Sequence, residues 1–260
     1  MRRGFSLVGL LVVVAVMAVM YALMAESLKG FQTGTDDAGR AVPASKGRLT
    51  DMFQIQQLMQ SLNTYGLGGK GEFPRPSLKT GDGSDDTTAN LYSMLIAERI
   101  VSPEALISKM DQGNVESYGQ YDWNVWNPAE GEYWDDGFTA DLDDLSNVSY
   151  AHMVLYGDRA SHWSSKKMDS TMPILGNRGP RDGEPSVDSW VCDPDTGRWA
   201  GYFAYGDGHV VLVQGLGDAR RRYDGGEDHV FRIDDDVRHG DSILGFTSGM
   251  DRDGPILQWD

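Results

Sequence analysis

Five histidines, His152, His162, His209, His229 and His239, are the side chains best suited to acid–base or metal chemistry near neutral pH. None pair at a metal-binding spacing such as H-E-x-x-H. His209 and His229 fall in strand-like surroundings and read as ordinary polar-face or core residues. Cys192 is the single cysteine, which excludes an intrachain disulfide and a multi-cysteine zinc site. No histidine stands at a family-specific spacing that would make it a nucleophile. There is no serine nucleophile elbow. Carboxylate pairs able to cleave a glycosidic bond are so numerous among 39 Asp and Glu that they carry no signal. These residues are not expected to make an enzyme.

Two other groupings suit ligands. Calcium wants carboxylate and carbonyl oxygens on glycine-bearing turns. Asp193-Pro194-Asp195-Thr196-Gly197 has a D-x-D-x-G spacing, with Asp193 and Asp195 as candidate ligands. Acidic groups also recur at Asp82, Asp85 and Asp86, at Asp234–Asp236, and at Asp251 and Asp253. No 12-residue EF-hand loop is present and Pro194 interrupts the best candidate, so solvated acidic turns are the competing reading. The Trp and Tyr residues of 118–134 suit stacking on a sugar.

The elements that must position these residues follow from composition and pattern. Of 260 residues, 40% are hydrophobic and 10% aromatic, enough for a core. The net charge of −16 argues against nucleic-acid binding, which needs clustered Lys and Arg. Residues 7–25 carry no charge, and as a helix they would span roughly 28 Å, about a bilayer core. Only Arg2 and Arg3 precede them, so residues 26–260 hold 21 basic and 39 acidic residues, a net of −18. The positive-inside rule places the short basic side in the cytoplasm and the acidic part outside. An ordinary secretory signal is a competing reading, although Leu23-Met24-Ala25 makes a poor cut site. A plain anchor is another.

Residues 30–48 are rich in glycine without apolar period and read as a linker. Residues 49–65 are the best soluble helix, with Met52, Ile55, Met59 and Leu62 on one face and Gly66, Gly68 and Gly69 ending it. Asn90 is expected to cap a helix over 91–100, and Ser102-Pro103-Glu104 to start another through Met110. Residues 114–165 read as long loops over short strands. Strands are expected at 149–156, 172–176, 229–233 and 242–246. Trp199–Val213 reads as a hairpin whose turn, Gly206-Asp207-Gly208, uses Asp207 and Gly208 as residues that accept positive φ.

The stretch Arg2-Arg3-Gly4-Phe5-Ser6-Leu7-Val8 resembles the leader of type IV prepilins and type II secretion pseudopilins. The resemblance implies that a prepilin peptidase cuts between Gly4 and Phe5 and methylates the new amine. It also implies that the following helix, with Leu7, Gly9, Leu10, Val14, Met17 and Tyr21, packs with other pilin or pseudopilin subunits in the membrane. The family has Glu where this chain has Gly9. That departure fits a minor or tip subunit, a relative that no longer assembles, or a small residue at a helix contact. Phe203-Ala204-Tyr205-Gly206-Asp207-Gly208-His209-Val210, with Asn63-Thr64-Tyr65 and Phe73-Pro74, resembles a pseudopilin-like family abundant in planctomycetes that carries a C-terminal H-x9-DG signature. Gly197 stands ten residues before Asp207, where that signature has His, so the role of its His is not carried over. Related pseudopilins bind calcium in a C-terminal loop.

The expected architecture is therefore α+β: an N-terminal transmembrane helix followed by a pilin-like head with a helix packed on an antiparallel β-sheet. The expected divisions are a leader at 1–4, a membrane helix at 5–29, a linker at 30–48 and a head at 49–260. The expected role is structural, as a subunit, minor or at the tip, of a type II secretion or type IV pilus-like fibre. The protein would be single-pass in the inner membrane, with its head in the periplasm or in a surface fibre. The alternative is an anchored extracytoplasmic module that binds calcium or glycan.

Overall fold

A computed structural model describes residues 33–35, 41–43, 46–69, 71–167, 169–184, 189–193, 196–223, 226–233, 237–239, 241 and 243–260. The chain divides into two compact units, Met1–Ala44 and Ser45–Asp260. The described part of the first is an antiparallel hairpin of β1 (Thr33–Thr35) and β2 (Ala41–Pro43). Two strands thus stand within the stretch expected to be a linker.

The second unit begins with α1 (Lys46–Gly68). Met52, Ile55, Met59 and Leu62 are buried as their spacing requires, and Leu58 joins them. The helix runs on through Gly66 because that glycine packs against Ser165 and Phe73, where a Cβ would meet Ser165 Oγ at 2.8 Å. Two more helices follow, the one-turn α2 (Ser77–Thr80) and α3 (Thr88–Ala97). The cap of α3 is Thr87, whose hydroxyl accepts the Asn90 N–H at 3.2 Å. Asn90 lies inside the first turn with its amide directed elsewhere. The segment after Ser102 makes only a 3-10 turn, Pro103–Leu106.

Six antiparallel strands form one sheet in the order β10-β9-β3-β4-β5-β6. They are β3 (Tyr150–Met153), β4 (Pro173–Asn177), β5 (Ala200–Tyr205), β6 (Val210–Gln214), β9 (Leu244–Met250) and β10 (Pro255–Gln258). A separate hairpin joins β7 (Arg220–Tyr223) and β8 (Gly226–His229). Of the strand expected at 229–233 only His229 lies in a strand, at the end of β8, and a turn follows with Val230 and Phe231 buried in it. The strand expected at 242–246 meets the start of β9, but β10 and the hairpin it makes with β9 went unread because the turn, Asp251-Arg252-Asp253-Gly254, sits in a glycine- and aspartate-rich tail.

The three central strands β3, β4 and β5 are buried throughout, since both sheet faces are covered. Helix α1 lies along β4, β5 and β6, and α3 lies against β9. On the other face Phe203 packs edge-on to Phe231, with ring centroids 5.8 Å apart. Gly176 makes room for it: a Cβ there would lie 2.6 Å from the Phe203 ring and 2.8 Å from Leu244.

The expected fold class needs correction. No helix among the described residues is long and apolar enough to cross a membrane. The longest, α1, is amphipathic, with Gln57, Gln60 and Thr64 exposed on its outer face. What is described is three α-helices with a large antiparallel sheet. Gly4, Phe5, Leu7, Gly9, Leu10, Val14, Met17 and Tyr21 lie outside the described residues.

Replacing Thr87 by Ala removes the cap of α3 and is expected to lower unfolding free energy by about 1 kcal/mol. Urea denaturation measures this, and an unchanged midpoint would refute the cap.

Candidate functional site

The interior holds several charged side chains. Arg48 on α1 pairs with Asp193 at 3.1 Å, both fully buried. Asp193 also closes a tight turn through its backbone, donating its N–H to Arg198 O and accepting the Gly197 N–H at 2.7 Å. The D-x-D-x-G spacing thus builds a turn, and its first carboxylate faces inward onto a guanidinium instead of outward to a cation. Asp195 lies outside the described residues. Among the described residues no group of three or more His, Cys, Asp or Glu could hold a metal ion. Asp86 receives the Arg75 guanidinium at 2.6 Å and the Ser77 N–H at 2.9 Å. Asp82 caps the Gly83–Asp85 turn, and Asp251 accepts the N–H groups of Asp253 and Gly254.

The Asp207-Gly208 turn forms at the tip of β5–β6. Gly208 takes φ +92°, but Asp207 does not enter the positive-φ region. It works through its carboxylate, which accepts the His209 backbone N–H at 3.1 Å and meets the His209 ring. That ring stacks flat on Tyr205 at 4.3 Å. His229 is buried, with Nε2 2.9 Å from Leu216 O. Cys192 Sγ donates to Ser189 O at 3.0 Å.

Asp51 and His152 are two buried groups whose protonation shifts fall in the acid range. The Tyr150 hydroxyl donates to Asp51 Oδ1 at 2.9 Å, but complete burial pushes the carboxyl up to about 6. Burial pushes His152 down to about 4. Its Nδ1 lies 2.8 Å from Met153 O, a pure acceptor, so Nδ1 carries the proton and Nε2 accepts from the Thr88 hydroxyl at 2.9 Å.

The surface feature with most chemistry is built from segment 118–134 and helix α3. Trp123 and Trp126 are 47% and 55% exposed. Trp123 rests on Tyr121 at 4.9 Å, and Trp126 meets Tyr133 edge-on at 5.8 Å. Both aromatic pairs are tied to α3. The Tyr121 hydroxyl donates to Ser93 O at 2.7 Å, and Trp134 Nε1, beside Tyr133, donates to the Asn90 side chain at 3.1 Å. Asp135 cross-links the loop by accepting the Asp122 N–H at 2.7 Å. Residues 127 and 132 exchange backbone hydrogen bonds, which closes a short hairpin beside Trp126. Three charged groups lie among the indoles. Lys79 Nζ sits 5.8 Å from the Trp126 centroid and 2.7 Å from Glu98 Oε1. The Arg99 guanidinium sits 5.7 Å from the Trp123 centroid.

The aromatic residues of this site were legible in the sequence, whereas Lys79, Glu98 and Arg99 were not. The one available signal was Arg99 immediately beyond an apolar helix, where glycine usually ends the turn. A separate cleft of about 350 Å³ opens between residues 72–78 and 160–167, lined among others by Glu72, Arg75, Leu78, Lys166 and Lys167. Comparison with protein-family models, with curated proteins and with solved structures finds no match in any of the three.

Asp51 and His152 pull stability in opposite directions over one pH window. Asp51 binds its proton more tightly folded than unfolded, so its contribution fades as pH rises from the ordinary 3.8 through about 6. His152 binds its proton more weakly folded, so its contribution fades as pH falls from 6.5 through about 4. Relative to the parent chain, Asp51→Asn is expected to make unfolding free energy rise more steeply between pH 4 and 6, and His152→Gln to make it fall. Urea denaturation at a series of pH values checks both, and curves parallel to the parent's would refute the assignment.

Proposed function

We propose that this chain is a pseudopilin-like structural subunit, delivered by a prepilin-type leader to the inner membrane with its acidic head on the periplasmic side. Prepilin peptidase cuts between Gly4 and Phe5, and the subunit joins other pseudopilins in a type II secretion or type IV pilus-like fibre. The observation that carries this reading is the junction Arg2-Arg3-Gly4-Phe5-Ser6-Leu7 abutting a 19-residue uncharged run. The buried strand β5 and its turn at Asp207-Gly208 support it, since the DG segment of the resembling family is a sheet hairpin too. Gly9 replaces the carboxylate that would meet a neighbour's terminal amine, which favours a minor or tip position over a repeated one.

The test is the mass of the mature chain recovered from membranes. A product beginning at Phe5 and bearing one methyl group on its amine is expected, and Gly4→Val is expected to leave the leader attached. A mature chain beginning at Glu26 would overturn the reading. Co-purification with other pseudopilins after crosslinking is the second expected result, and recovery of the chain alone from cells that assemble the fibre would refute fibre membership.

A further inference from the structure

The surface around Trp123 and Trp126 exposes anchored indoles that pseudopilin assembly does not account for. Two tryptophans of the same head, Trp163 and Trp199, are buried in its core, whereas these two stand half in water. They are nevertheless fixed, through Tyr121, Tyr133 and Trp134, to the side chain of Asn90 and the backbone of Ser93 on α3. Rigid exposed indoles lose little entropy when something docks on them. The backbone adds a second observation. Arg99 adopts φ +59° just past the end of α3, a conformation that favours glycine and strains other residues. A guanidinium is thus kept over Trp123 at a position where glycine would relieve the backbone.

Charge then selects the ligand. Residues 110–158, which contain the whole aromatic loop, hold eleven Asp or Glu and no Lys or Arg. An anionic polymer would be repelled by them. A cationic one would find the indoles already approached by the protein's own cations, Lys79 and Arg99. What remains is a ligand with apolar C–H faces and neutral hydroxyl edges. A pyranose has both: a C–H face able to stack on an indole, and hydroxyls able to meet the Lys79 and Arg99 donors, with Glu98 holding Lys79 in place. Two platforms around one charged row suit a chain of sugars better than a single ring.

We propose that Trp123 and Trp126, with Lys79, Glu98 and Arg99 between them, form a binding surface for a neutral polysaccharide. The proposal stands apart from the assembly reading, and either can fail alone. Affinity electrophoresis of the full-length chain through gels containing laminarin, galactomannan, xyloglucan, polygalacturonate or polylysine tests it. Retardation by at least one of the three neutral polymers is expected, with quenching of tryptophan fluorescence. Trp123→Ala and Trp126→Ala are each expected to weaken binding about ten-fold. Arg99→Gly is expected to weaken binding while leaving thermal stability unchanged or raised, which a purely structural arginine would not do. The proposal is overturned if no neutral polymer retards the chain, if only polylysine or polygalacturonate does, or if both alanine variants bind as tightly as the parent.

Discussion

The hydroxyl of Thr88 holds the helical layer to the sheet. It accepts the Thr247 N–H at 2.8 Å and donates to His152 Nε2, so one buried oxygen joins the first turn of α3 to β9 and to β3. The contact is directional only while His152 is neutral, and burial keeps it so. Leaving a buried partner of this kind unsatisfied would cost about 1–3 kcal/mol. Everything the helix carries inherits the placement: the aromatic loop is hydrogen-bonded to the Asn90 side chain in the first turn and to the backbone of buried Ser93 in the next. A surface of tryptophans on a segment with almost no regular structure is thus positioned from the core.

Three arginines serve this head from within. Arg48 meets Asp193, Arg178 meets Asp111 at 2.7 Å, and Arg159 donates to the carbonyls of Val237 and Asp241 at 2.7 Å each. All three guanidiniums are buried. Such pairs add little net stability, but losing one partner strands a buried charge at about 3–5 kcal/mol. They tie distant segments in one register: α1 to the turn at 193–198, the 111 loop to the end of β4, and the 158–162 turn to the chain before β9.

What the sequence disclosed follows from which signals are local. The stripe on α1 was legible because Met52, Ile55, Met59 and Leu62 keep a helical period, and the β5–β6 hairpin because a DG turn lies between apolar runs. Gly68 and Gly69 do stand at the end of α1, whereas Gly66 misled because it packs on Ser165, about a hundred residues away. Thr87 and Asn90 were both competent caps; the hydrogen bond from Trp134 to the Asn90 side chain sets their roles, and no local pattern contains it. The inward turn of Asp193 was not legible for a similar reason, since its partner Arg48 lies far off in the chain. The aromatic loop was visible by composition alone, whereas its charged companions come from α2 and from the end of α3.

The burial of Arg159 has a consequence for how this head is taken apart. Between Lys109, which is exposed, and Arg159, which clamps backbone carbonyls in the interior, the chain offers trypsin nothing to cut. The fragment 110–159, which ends at that arginine, can therefore be released only when the guanidinium leaves its carbonyls and the chain around it opens. Its appearance in a digest counts those openings, so this one arginine turns an ordinary protease into a clock for the breathing of the folded head.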